Sequence, residues 1–250
     1  LYEIWSICSG CFTTRGSAYP GMHLVEVMRG CPHGCTFCIM SAARIGRPRY
    51  VPAEAVMGAI PGHVRKVGLV GPSVLDHPGI DLVLAAIADR GLEAGISSAR
   101  ADLVDEGRAR LLAAVGLRTL TIALDGASAR IRASIRKRVT GEDAVRAARL
   151  ASAAGIPRVK IYAMLGFPGE QDSDVDELAA TCVEVASHAR LTVSIGPLVP
   201  KRGTGVGSAP FVGRPDYEAR VRRLTAAIGR RARIDAVPWR EAKREADLSA

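Results

Sequence analysis

Three cysteines fall within eight positions of the stretch RGCPHGCTFCIM, at Cys31, Cys35 and Cys38, while Cys8, Cys11 and Cys182 are spread over the rest of the chain. Thiolates are soft donors that suit zinc and iron–sulfur clusters. Spacings of three and two residues let one loop wrap a compact inorganic cube, and Gly30 and Gly34, each directly before a cysteine, allow backbone angles that other residues resist. Three thiolates hold three irons of a four-iron, four-sulfur cube. The fourth iron, without a protein ligand, is open to bind and activate a small molecule.

A second pattern competes for the same residues. Cys8 and Cys11 form one CxxC and Cys35 and Cys38 another, separated by 23 residues, close to the spacing of a four-cysteine structural zinc site. That reading makes the chain a zinc-stapled, basic nucleic-acid-binding module and leaves Cys31 without a role. Cys8 and Cys11 are otherwise plain thiols, a redox pair or partial ligands of a second cluster.

The elements that must position the cysteine loop are short apolar runs rich in β-branched residues: HLVEVMR (23–29), VRKVGLVG (64–71), LEAGISS (92–98), RTLTIAL (118–124), RVKIYAML (158–165) and LTVSIGPL (191–198). Helical patterns lie near 53–60, 80–90, 104–115, 142–154, 173–188 and 215–230. This is β/α alternation six times over, and strands buried on both faces between such helices run parallel. Gly91, Gly116 and Gly155 stand where a left-handed residue would close a helix before the next strand. A doubly wound sheet and a partial (β/α)6 barrel both fit. Either way, chemistry belongs at the carboxyl ends of the strands, and the first of those ends runs directly into the cysteine loop.

Composition narrows the classes further. With 250 residues and 48% hydrophobic content the chain can bury a full core without disulfides, and the cysteine distribution suits a reducing compartment, so the cytoplasm is expected. No apolar run approaches the roughly 20 residues of a membrane span. The net charge is +9, and 29 of the 34 basic residues are arginine, scattered over the helices with only four phenylalanines to stack on bases. Solvated helix faces explain that better than a nucleic-acid surface. Arg222 and Arg223 are expected to be such surface residues.

At this point the sequence resembles the radical S-adenosylmethionine superfamily, whose mark is CxxxCxxC with an aromatic residue before the last cysteine, here Phe37. The resemblance implies a partial (β/α)6 barrel, an incomplete TIM-like barrel, over residues 21–238, with a lead-in segment 1–20 and a tail 239–250. It implies a 4Fe–4S cluster on Cys31, Cys35 and Cys38 and reductive cleavage of S-adenosylmethionine to a 5′-deoxyadenosyl radical. VGLVGPSVLDHPGI is similar to the family's second-strand segment, with Gly71, Pro72 and Ser73 toward the methionine amino group, although the usual Gly-Gly-Glu is absent. ISSARAD places Ser98 and Arg100 toward the methionine carboxylate or ribose, and ALDGAS places Asp125 toward the ribose hydroxyls. YAMLGFPGE sets Met164 and Gly166 beside the adenine. The segment GPLVPKRGT, with Leu198, resembles the adenine edge of relatives that carry a cobalamin-binding domain. The resemblance further implies a flavodoxin- or ferredoxin-type electron donor. It leaves open a cobalamin-dependent methyl transfer, through a domain outside this chain, and a tRNA methylthiotransferase-like activity.

Other residues read more simply. Cys182 shares a helical face with Val175, Leu178, Ala179 and Ala186, as a core residue would. The histidines are dispersed, and His33, inside the cysteine loop, reads as solvated or as a loop brace. Strand alternation puts Lys160 and Tyr162 on one face, and these two with Lys201 stand where a substrate could be met.

Overall fold

Why these segments become strands is visible in their alternation. The computed structural model describes residues 9–12, 21–43 and 47–249. The cysteine loop is preceded by β1 (Ser9–Phe12), β2 (Met22–Glu26) and β3 (Met28–Arg29), and followed by α1 (Ile39–Ala42), β4 (Arg49–Tyr50) and α2 (Ala53–Gly58). The next units are β5 (Lys66–Val70) with α3 (Ile80–Asp89), β6 (Glu93–Ile96) with α4 (Glu106–Ala114), and β7 (Thr119–Asp125) with α5 (Ala129–Ser134) and α6 (Gly141–Ala153). The chain closes with β8 (Arg158–Leu165), α7 (Asp172–Ala186), β9 (Arg190–Pro197), α8 (Arg214–Ile228), β10 (Ala232–Ala236) and α9 (Trp239–Ser249).

The strand order is β1-β2-β5-β6, then β7-β8-β9-β10, and a parallel bridge between Ala99 and Ile122 joins the two sets. Among the described residues seven strands run parallel, one more than the six units expected, because β10 pairs with β9 from Ala232 opposite Leu191 to Ala236 opposite Ile195. β1 is antiparallel to β2 and lays Cys11 across from His23. Cys8 lies outside the described residues. The expected first strand 23–29 is divided: Val27 donates to the Val70 carbonyl while Met28 and Arg29 turn away to pair with β4.

In β7, β8 and β9 every second residue is buried, with Leu120, Ile122, Val159, Ile161, Leu191 and Val193 at 2% exposure or less. These side chains meet the apolar faces of the helices, so the helices cover one face of the sheet and leave the other for function. Small residues make the approach close: Ala144, Ala147, Ala148 and Ala151 form the buried stripe of α6. That helix starts on a reciprocal cap in which Thr140 accepts the Asp143 N–H and Asp143 accepts the Thr140 N–H. Gly91, Gly116 and Gly155 have φ of 63°, 79° and 92°, as their places after α3, α4 and α6 require. Cys182 is fully buried in α7, and burial pushes its thiol up to about 12.

Residues 239–249, expected as a tail, are a docked helix. Ala242 is buried, and the Trp239 indole N–H donates to the Val212 carbonyl at 2.8 Å. Arg223, expected as free surface, is exposed yet bridges α8 to α7 through Asp172 and Asp176.

Candidate functional site

The carboxyl ends of the parallel strands bring nine of the thirteen residues singled out in the sequence to one cavity of about 170 Å³. Cys31, Cys35, Phe37 and Cys38 come from the loop after β3, Pro72 and Ser73 from the end of β5, Ser98 and Arg100 from beyond β6, and Asp125 from the end of β7. The site is therefore assembled from four successive strand ends.

The loop is held in place by identifiable contacts. The Thr36 N–H donates to the Ile135 carbonyl at 3.0 Å, and the Cys35 Sγ lies 3.9 Å from the Arg136 carbonyl. His33 Nε2 meets Asp76 Oδ2 at 2.7 Å, so this histidine braces the loop against the segment after β5. Burial pulls the Asp76 carboxyl upward, but hydrogen bonds from His33 and Ser73 outweigh it and hold it below the usual range. Gly30 has φ of 82° and needs to be glycine. Gly34 does not share that need: its φ is not left-handed, and a Cβ there would meet nothing.

Burial raises the thiols of Cys31 and Cys35 above their ordinary value, with Lys137 opposing the shift at Cys35. Buried thiols of this kind are proton-bearing until a metal displaces the proton. Among the described residues no three histidine, cysteine or acidic side chains converge on the position of a single ion. Three thiols on one loop suit separate corners of an inorganic cube, while the four-cysteine zinc alternative needs Cys8, which lies outside the described residues.

Asp125 was expected to accept from ribose hydroxyls. It has a left-handed φ of 62° and an ion pair of 2.7 Å with Lys137, both side chains largely buried. One ammonium occupies only part of a carboxylate's accepting capacity, so Asp125 keeps room for further donors. Arg100 is likewise engaged, with Nη2 2.7 Å from Asp102 Oδ2, while its Nε and the Asp102 Oδ1 are buried without a partner. Arg100, unlike Asp102, lines the cavity, and an orphaned buried donor on a cavity-lining residue is what a bound polar ligand would satisfy.

The remaining expected contacts lie elsewhere. Met164 and Leu198 pack with Phe37, Phe167, Ile131 and Ile135 in a small apolar cluster beside the cysteine loop, where the Phe37 and Phe167 rings meet edge to face at 6.2 Å. Gly166, with φ of 96°, faces Val212 and donates its N–H to Glu170, and so is not on the cavity wall. Gly71 lies against Met28 and lines a neighbouring cavity that shares Pro72 with the first. Sequence reasoning missed Lys137, which sits in the basic run IRKRV after α5. Only the nearby Asp125, a carboxylate needing a cation if buried, could have pointed to it.

Residues 25–182 match the Radical SAM superfamily. The chain belongs to that superfamily. It is 34% identical over 198 residues to the uncharacterized protein MJ0966 of Methanocaldococcus jannaschii, covering 77% of this chain and 44% of that relative. The chain thus spans less than half the length of this relative. Among solved structures it is similar to SuiB of Streptococcus suis bound to S-adenosylmethionine, with a TM-score of 0.62 and 17% identity over 86% of this chain and 50% of that one. It is also similar to OxsB, a cobalamin-dependent S-adenosylmethionine radical enzyme, with a TM-score of 0.53 and 15% identity over 81% of this chain and 30% of that one. At these identities the likeness shows the shared α/β fold of parallel strands. Among the described residues no helix is long and apolar enough to cross a membrane.

Proposed function

We propose that this chain is the catalytic core of a radical S-adenosylmethionine enzyme in which Cys31, Cys35 and Cys38 hold a 4Fe–4S cluster and the adjoining cavity takes S-adenosylmethionine. The observation that carries the reading is the convergence of three thiols with Ser73, Ser98, Arg100 and Asp125, from four strand ends, on one cavity in a chain of this family. When bound, the cluster and S-adenosylmethionine supply a one-electron cleavage that yields a 5′-deoxyadenosyl radical.

The chain's own residues have definable tasks around that chemistry. Arg100 retains an unpartnered buried N–H for the cofactor's carboxylate, and Lys137 adds a second positive charge beside Asp125. Asp125 accepts from hydroxyls. Phe37, Phe167, Met164 and Leu198 exclude water on one flank, where a carbon radical would otherwise be lost to solvent-borne side reactions. His33 and Asp76 keep the loop from shifting as the thiols exchange protons for iron.

The electron donor in this reading is a flavodoxin- or ferredoxin-type protein. A groove of about 510 Å³ directly behind the cysteine loop presents the exposed Arg136 and Arg138, complementary to an acidic partner, while Arg132 and Lys137 in its wall are held by Glu177 and Asp125. Cobalamin use, through a domain outside this chain, is supported only by the segment GPLVPKRGT and the likeness to OxsB.

Anaerobic reconstitution followed by reduction with S-adenosylmethionine tests the reading. Wild type is expected to bind about four irons per chain and release 5′-deoxyadenosine. Alanine at Cys31, Cys35 or Cys38 is expected to abolish both, and Cys182→Ala neither. A Cys31→Ala protein that keeps a full cluster and still makes 5′-deoxyadenosine sinks the assignment.

A further inference from the structure

On β7, β8 and β9 the residues facing away from the helices are Thr121 and Ala123, Lys160 and Tyr162, and Thr192 and Ser194. The register sets them side by side: Lys160 lies between Thr121 and Thr192, and Tyr162 between Ala123 and Ser194. Ala123 and Asp125, on the same face of β7, line the cysteine cavity, so this row continues directly below it. The Lys160 Nζ stands 4.7 Å from the Tyr162 ring centroid and therefore reaches up the strand toward the cavity. Tyr162 is two residues short of Met164, which packs with Phe37, a distance of about 7 Å along the strand.

The charge on this row is uncompensated. The chain has five lysines. Lys66 pairs with Glu93, Lys137 with Asp125, Lys201 with Glu245 and Lys243 with Asp247. Among the described residues Lys160 has only the tyrosine ring, a much weaker partner than a carboxylate. Asp235, on the same face of β10 and in register with Ser194, is already held by Arg233 at 2.7 Å. The hydroxyls of Thr121, Thr192, Ser194 and Tyr162 have no hydrogen-bond partner among the described residues. A half-buried lysine on a row of hydroxyl residues, one strand on either side, suits an oxyanion, since hydroxyls can donate to the oxygens an ammonium attracts.

We infer that this face is a substrate subsite in which Lys160, with Thr121, Thr192 and Ser194, holds the carboxylate or phosphate of an organic substrate against the Tyr162 ring. The inference rests on the proposed function, which places the reacting carbon at the cavity above. The oxyanion then lies on the order of 7 to 10 Å from that carbon. On the same inference the neighbouring cavity of about 380 Å³, which meets the cysteine cavity at Pro72 and is lined by Leu24, Gly68, Val70 and Gly95 with Glu26 and Arg29 beside them, takes the apolar part of that molecule. The substrate class is an amphiphilic organic acid.

The small number of lysines makes this testable. Reductive methylation of the full chain with isotopically labelled formaldehyde keeps each lysine's charge and gives five lysine dimethylamine resonances besides that of the terminal α-amine, assigned through single Lys→Arg variants and recorded with and without reconstituted cluster. Hexanoate or inorganic phosphate is expected to move the Lys160 resonance saturably, with hexylammonium inert and the Lys66, Lys201 and Lys243 resonances unmoved. Whichever anion acts names the oxyanion. Thr192→Val with Ser194→Ala is expected to weaken that response several-fold. A Lys160 resonance that responds to neither anion, or no more than Lys66 does, overturns the subsite. Iron content and 5′-deoxyadenosine release are read separately, so loss of the subsite and loss of the radical reading remain distinguishable.

Discussion

Lys137 and Asp125 are 9% and 17% exposed as side chains and 2.7 Å apart, which makes each the main compensation for the other's burial. Removing one partner of such a pair leaves an uncompensated charge and typically costs about 3 kcal/mol, whereas removing both costs less than the sum. Asp125→Asn keeps a residue that tolerates the left-handed φ, so it isolates the charge. Urea unfolding of the apoprotein is expected to show Asp125→Asn and Lys137→Met each strongly destabilising, with a coupling of about 2 kcal/mol in the double variant. Additive single effects would show that the pair is incidental. The cysteines and the aspartate were legible in the sequence because their spacing or strand-end position carries meaning. Lys137 was not, because it reaches Asp125 only through the turn that follows α5.

Between elements, Glu170 joins the β8–α7 turn to α8. Its Oε2 accepts from the Gly166 N–H at 2.6 Å and from Arg220 at 2.8 Å, while its Oε1 is buried with no partner. Burial pushes its carboxyl up to about 7, against the Gly166 hydrogen bond and the Arg220 charge. Two influences thus disagree over this group, and burial wins because one of the two oxygens gains nothing from the fold. A folded pKa above the unfolded carboxylate value means that the native state binds more protons across pH 4.5 to about 7. The associated stability is full below that window and lost as pH rises through it. Melting curves of wild type and Glu170→Gln between pH 5 and pH 8 check the sign: wild type should lose ground to the variant as pH rises. If wild type instead gains on the variant, Arg220 holds the carboxylate ionised in the fold. None of this was visible in GFPGE as a string, since Arg220 lies 50 residues away on another helix.

For the molecule as a whole, the six strands were readable from their β-branched runs, and β2, β7, β8 and β9 also alternate a buried set with a set facing the site, whereas β5 buries three residues in a row. The seventh was not: β10 is ARIDA, with Ile234 as its only large apolar residue, and its strand character comes from five parallel pairings with β9. The same alternation shows the face of Lys160 and Tyr162 only once the helices are known to cover the opposite one. That last unit is bound into the structure. The Tyr217 hydroxyl, buried in α8, donates to the Val237 carbonyl at 2.9 Å, burial pushes it up to about 12, and Trp239 ties α9 back to Val212. Ending the chain after Gly229 would leave the β9 edge unpaired, leave Tyr217 only its longer hydrogen bond to the Ile195 carbonyl and uncover the patch under Ala242. Unpaired strand edges are also templates for aggregation. The shortened chain is therefore expected to melt well below the parent and to associate at micromolar concentration, while Tyr217→Phe in the full chain costs about 1 kcal/mol. Circular-dichroism melts with light scattering measure both, and a truncated protein that melts with the parent would show that β10 and α9 are an appendage to a six-unit fold.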